Sequence, residues 1–210
     1  ARAVAMEIPF VATAGGPARE RVAELLSAAE VLAARAGRIH AIGLCKMATG
    51  TSHYLVGRWR DALAAFDESE AIFRERCTGA QGERSAAIAM TSWDLWFFGD
   101  LREFSRRIPI YLHEAEERGD RYLSAQLRSY LSNAHWLIQD DIEGARRAAD
   151  LAIESWSRAG FHLQHLHDLV ARAQIALYEG DGEAAHAALQ ERWSALKKSM
   201  SLRLQVVRIL

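Results

Sequence analysis

The chain has 210 residues, with 26 Lys+Arg against 27 Asp+Glu, a formal net charge of −1 and an isoelectric point near 6.8. So even a charge balance excludes a general nucleic-acid binder, which needs a basic excess. No apolar run approaches the roughly 18 residues of a membrane-spanning helix, and Cys45 and Cys77 form no disulfide framework, so the expected setting is reducing and cytoplasmic.

The opening, ARAVAM, carries no initiator methionine and lacks the basic start and long apolar stretch of a secretory signal. From there, apolar and small residues recur at three- and four-residue spacing, and alternating β-branched runs are absent. The periodicity predicts helices over 1–14, 17–36, 39–56, 59–76, 84–98, 100–118, 121–139, 141–159, 161–179, 182–198 and 200–210. CTGAQGE, residues 77–83, is the least regular connection, and Pro109 is expected to kink the sixth helix. The last stretch, SLRLQVVRIL, places Leu202, Leu204, Val206, Val207, Ile209 and Leu210 in an amphipathic pattern that stops without a cap. Both ends read as cut from a longer protein, and weak self-association through them is expected.

Four segments share one grammar: YLVGRWRDALAAF from Tyr54, FFGDLREFSRRI from Phe97, LIQDDIEGARRAA from Leu137 and LYEGDGEAAHAAL from Leu177. Their turn residues Gly57, Gly99, Asp140 and Gly180 are spaced by 42, 41 and 40 residues (57 to 99, 99 to 140, 140 to 180), and Gly16 stands a further 41 before Gly57. Gly or Asp at such a turn tolerates a left-handed backbone. Five residues on, Ala62, Phe104, Ala145 and Ala185 mark where the second helix crosses the first; Phe66, Ile108, Ala149 and Leu189 continue the buried stripe. A hairpin alone cannot bury its apolar face, so neighbours stack. The expected fold is all-α: a single domain over 1–210, a tetratricopeptide-like α-solenoid of about five helix pairs in a right-handed superhelix. The pairs are approximately 1–36, 39–76, 84–118, 121–159 and 161–198, followed by the start of a further helix.

Chemistry-bearing strings are missing. GLCKMATGTS from Gly43 has the composition of a phosphate-binding loop, but Lys46 precedes Gly50, so the cradle geometry fails and a helix is expected. Kinase catalytic strings, G-x-S-x-G and H-E-x-x-H are absent, and Cys45 and Cys77 have no nucleophile signature. In FHLQHLHD, His162 and His165 share a face at helical spacing and could grip a metal only with ligands from other helices; the plainer reading is a helix start with packed histidines. No residue is assigned a catalytic, cofactor-binding or metal-binding role.

In tetratricopeptide arrays the first helices of successive pairs line the concave wall. Alignment on the turns places Thr51, Tyr54, Trp93, Trp96, Phe97, Ala134, Leu137, Gln174, Leu177 and Tyr178 toward it. Trp93 and Trp96 would form an aromatic patch there. Two accounts stand: these side chains fill space between long helices, or Thr51, Tyr54, Trp93, Trp96, Phe97, Gln174 and Tyr178 grip a partner, since aromatic anchors dominate binding energy.

GRWRDALAAFDESEAIFRERCTG at 57–79, EERGDRY at 116–122, SRAGFHLQH at 157–165, ARAQIALYEGDGEAA at 171–185, ERW at 191–193 and LRLQVVRI at 202–209 resemble a bacterial family. They are similar to the C-terminal repeat region of large serine/threonine protein kinases that carry an AAA-type signalling ATPase between kinase and repeats. The resemblance runs from about Ala5 to Leu210 and includes no catalytic motif. It implies a position downstream of kinase and ATPase modules. The expected role is a non-catalytic module that binds a protein partner or another domain of its own chain and regulates a kinase–ATPase. The alternative is a sensor for a small inducer held in the superhelical groove.

Overall fold

The computed structural model describes residues 1–154, 156 and 159–199, and every regular element among them is helical. The helix expected over 200–210 lies outside the described residues. Two compact units divide at Gly99 and Asp100.

The first unit comprises α1 (Arg2–Ala12), α2 (Arg19–Ala36), α3 (Ile39–Leu55), α4 (Trp59–Arg76) and α5 (Gln81–Phe98). Each helix packs on the next, α1 also reaches α3, and α3 reaches α5. The core gathers Ile8, Leu25, Ala29, Leu44 and Phe73. GLCKMATGTS lies inside α3, and its glycines serve packing: a Cβ on Gly43 would stand 2.7 Å from the Phe73 ring, and one on Gly50 would stand 2.6 Å from the Phe66 ring. The Ser69 hydroxyl, fully buried, donates to the Gly43 carbonyl at 2.9 Å. The fifth helix starts at Gln81, three residues earlier than predicted. The extra turn gives Arg84 a helical frame from which its Nε donates to Glu70 on α4 at 2.7 Å, and both side chains are buried.

The second unit comprises α6 (Leu101–Glu117), α7 (Arg121–Arg128), α8 (Ala134–Leu137), α9 (Ile142–Glu154), α10 (Leu163–Tyr178) and α11 (Gly182–Lys198). α6 continues through Pro109 as one helix. The helix predicted over 121–139 is interrupted. Ser129 is extended, Tyr130 is left-handed at φ 52°, and Tyr130–Asn133 form a 3₁₀ turn before α8. Side chains take up carbonyls at the break: Ser129 Oγ donates to Ala125 O at 2.7 Å and Asn133 Nδ2 donates to Arg128 O at 2.9 Å, while Asn133 Nδ2 also ties the break to α9 by donating to Ala145 O at 2.9 Å. A left-handed tyrosine costs roughly 1–3 kcal/mol. The break turns Tyr130 onto His167 of α10, with ring centroids 4.6 Å apart.

The repeat grammar has one backbone basis. Gly57, Gly99, Asp140 and Gly180 all adopt positive φ, at 77°, 79°, 60° and 83°. At three of these turns the next residue's N–H reaches back five residues: Arg58 to His53 O at 2.9 Å, Asp141 to Trp136 O at 3.0 Å and Asp181 to Ala176 O at 2.8 Å. That is the Schellman closure of a helix C-terminus. Asp100, Asp141 and Asp181 then cap the following helix, accepting from Glu103, Gly144 and Ala184 N–H at 3.1, 2.7 and 2.8 Å. In the most N-terminal pair the positive-φ residue is Gly15 rather than Gly16, which opens a 3₁₀ turn with Pro17.

The crossing positions Ala62, Phe104, Ala145 and Ala185 are all buried, as are Phe66, Ile108 and Ala149. Leu189 is not: α11 packs chiefly on α10, which leaves that side chain exposed.

Candidate functional site

In the first unit, the reversal at Gly57 carries Trp59, the first residue of α4, back over the end of α3. Trp59 stacks on Phe97 from the last turn of α5, with ring centroids 5.4 Å apart and planes 15° from parallel. Tyr54 meets both rings edge-on, at 5.4 Å and 5.8 Å. Tyr54 and Trp93 are buried, Thr51 and Trp96 are half-buried, and Phe97 is 36% exposed. Thr51 spends its hydroxyl on the Met47 carbonyl at 2.9 Å. The predicted wall omitted Trp59; its place two residues after a turn glycine is the signal that would have included it.

In the second unit the Tyr178 hydroxyl donates to Asp140 Oδ1 at 3.0 Å, and Arg146 pairs with Glu179. These contacts set the turn at Asp140 beside the turn at Gly180. Ile138, Leu177 and Tyr178 are exposed there, while Gln174 is half-buried further back on α10. The residue two positions before each turn residue is large and apolar in every case: Leu55, Phe97, Ile138 and Tyr178. The last three are 36%, 39% and 48% exposed.

Two buried titratable groups stand apart from these surfaces. Asp94 of α5 is fully buried, and neither carboxyl oxygen has a hydrogen-bond partner among the described residues. Burial, reinforced by the Asp67 charge, pushes its carboxyl up to about 7. His167 is buried against Tyr130, and burial holds its imidazole down to about 4. Cys45 is buried and its thiol is pushed up, by burial first and Glu30 second, so it carries little thiolate.

His162 lies outside α10, in extended backbone at its N-cap, so the helical spacing assumed for His162 and His165 does not apply. The His162 backbone N–H donates to His165 Nδ1 at 2.9 Å, and His162 Nε2 lies 3.0 Å from the Ala159 carbonyl. Both rings are thereby occupied in starting the helix. Among the described residues no group of three or more His, Cys, Asp or Glu is arranged to hold a metal ion.

Two of the clefts within the units exceed the one of about 310 Å³ beside α6 and α7. One of about 880 Å³ runs beside α10 and α11, past Phe161, Asp168, Arg172, Glu191 and Arg192. Its charges are mixed, and Arg172 is already bonded to Asp168 at 2.9 Å and Asp150 at 2.8 Å. The other, of about 830 Å³, lies in the first unit between α2 and the end of α3.

Among the described residues no helix is long and apolar enough to cross a membrane. No protein-family model matches the chain, and no curated protein matches it significantly.

Proposed function

We propose that this chain is a non-catalytic helical-repeat module that binds a polypeptide. Its helix pairs stack as a tetratricopeptide-like, right-handed solenoid, and its partner is a protein or another domain of the same parent chain. The resemblance to kinase–ATPase repeat regions supports a regulatory role within a protein of that plan, in the cytoplasm.

The observation that carries this reading is the exposed apolar side chain repeated two residues before the turn, at Phe97, Ile138 and Tyr178. Isolated exposed apolar residues are ordinary, but recurrence at one register of a repeat leaves apolar surface beyond what the stack of Phe97 on Trp59 and the Tyr178 bond to Asp140 use. Rigid rings suit an interface because they bring large contact area with few rotors to freeze.

The test is calorimetric titration of the chain with the kinase and ATPase segments of its parent protein. Wild type is expected to bind at least one. Phe97→Ser combined with Tyr178→Ser is expected to weaken binding at least tenfold; because Phe97 also stacks on Trp59 and Tyr178 also bonds Asp140, a thermal melt first establishes that the double variant is folded at the titration temperature. Binding that is unchanged in the double variant would overturn the reading.

A further inference from the structure

The first unit contains a cleft separate from the aromatic cluster, and its lining has a definite chemistry. Val22 and Leu26 from α2 form one wall, and Leu55 and Val56 from the end of α3 form the other. Its volume, about 830 Å³, falls within the roughly 300–1,000 Å³ of small-molecule sites. Val56 stays 51% exposed at the mouth, an apolar side chain that neither helix covers.

The charged groups on the lining are of one sign. Arg19 enters from the first turn of α2 and Arg58 from the turn after α3, and no acidic side chain lines the cleft. Arg58 is bonded through Nε to Asp61 at 2.8 Å, so part of its charge is spent. Arg19 makes no ion pair with any described residue. His53 also lines the cleft, its proton affinity lowered by burial first and Arg58 second, so near neutral pH it contributes a polar ring without positive charge. The result is an apolar trough with an uncompensated guanidinium at its edge.

We propose that this cleft binds a monomeric amphiphilic anion, a hydrocarbon chain ending in a carboxylate, with the chain between α2 and α3 and the carboxylate at Arg19 and Arg58. Apolar burial supplies the affinity, and the cationic edge selects an acid over a neutral molecule of the same length. A guanidinium suits this role because its planar fork matches a carboxylate. The proposal is independent of the proposed interaction positions Phe97, Ile138 and Tyr178, none of which lines the cleft.

The experiment is calorimetric titration of the whole chain with decanoate, and with decanol as the neutral probe, both kept monomeric. Decanoate is expected to bind at one site and at least tenfold more tightly than decanol. Arg19→Gln with Arg58→Gln should remove that preference and leave decanol unaffected. Ala23→Trp, at an exposed lining position, should fill the cleft and weaken both probes at least tenfold while the melting temperature holds. Vesicles of phosphatidylglycerol separate a free amphiphile from a lipid headgroup. Equal affinity for decanoate and decanol, full binding by the folded Ala23→Trp variant, or binding only to vesicles would each overturn the proposal.

Discussion

Gly50 of α3 lies directly beneath the ring of Phe66 of α4, so closely that a Cβ at position 50 would come within 2.6 Å of the ring. Gly43 stands in the same relation to Phe73 one heptad away. Two glycines seven apart face two phenylalanines seven apart, and this pairing sets how near the helices approach.

The relationship yields a paired prediction. Gly50→Ala gains helix propensity of about 1 kcal/mol but must displace a fully buried ring, and overpacking of this kind costs about 1–3 kcal/mol. The net expectation is destabilisation. Gly82, the second residue of α5 with open space around it, is the control: Gly82→Ala should be neutral or stabilise by up to about 0.5 kcal/mol, since a first-turn position feels only part of the interior propensity. Urea unfolding of both variants checks this, and Gly50→Ala more stable than wild type would show the crossing to be looser than described.

Alanine stands at the crossing position of the α3–α4 pair and of the pair that contains α9. Ala62 and Ala145 are fully buried, so Ala62→Leu or Ala145→Leu should cost about 1–3 kcal/mol. A change within about half a kcal/mol in denaturant unfolding would mean that these positions do not lie at close crossings.

The aspartates that follow the turn residues predict a graded effect. Asp100→Ala, Asp141→Ala and Asp181→Ala each remove an N-cap acceptor and should each lower stability by about 1 kcal/mol. Asparagine at the same positions keeps an acceptor and should recover most of the loss. Equal losses for Ala and Asn, measured by thermal melts, would point to charge rather than capping.

Helix positions and turn residues were legible in the sequence because local chemistry decides them. Gly, or an Asp that tolerates left-handed backbone, appears at each reversal, and an apolar stripe at helical period lies between reversals. Several details were not legible, and three of them have a plain physical reason. The break at Tyr130 places an aromatic residue in a conformation its type disfavours, and contacts such as the stack on His167 and the Asn133 bond to Ala145 offset that cost. These partners lie 37 and 12 residues along the chain, beyond any local pattern. The offset from Gly16 to Gly15 arises because Pro17 fixes the first turn of a 3₁₀ segment. At the aromatic cluster, periodicity identified Tyr54 and Phe97, but Trp59 is brought over them by the turn and not by a helix face.

Asp94 and His167 make the final prediction, because each is buried and their effects on stability run in opposite directions with pH. The Asp94 carboxyl is raised from 3.8 to about 7, so between those values the folded chain keeps a proton that the unfolded chain has lost. Its contribution to stability therefore falls as pH rises through that window. The His167 imidazole is lowered from 6.5 to about 4, so between those values the unfolded chain holds the proton that the folded chain lacks. Its contribution is present above 6.5 and is lost as pH falls toward 4. Each slope is at most about 1.4 kcal/mol per pH unit, and where the windows overlap they offset each other. Wild type should show a shallow profile between pH 4.5 and 6.5. Asp94→Asn removes the falling slope: stability should then rise with pH, and at pH 8 the variant should exceed wild type. His167→Phe retains a ring against Tyr130 and removes the rising slope, so its stability should fall from pH 4.5 to 7. Urea midpoints across this range, followed by near-UV dichroism, give the comparison. If both variants reproduce the wild-type profile, neither group titrates in the window that its burial dictates.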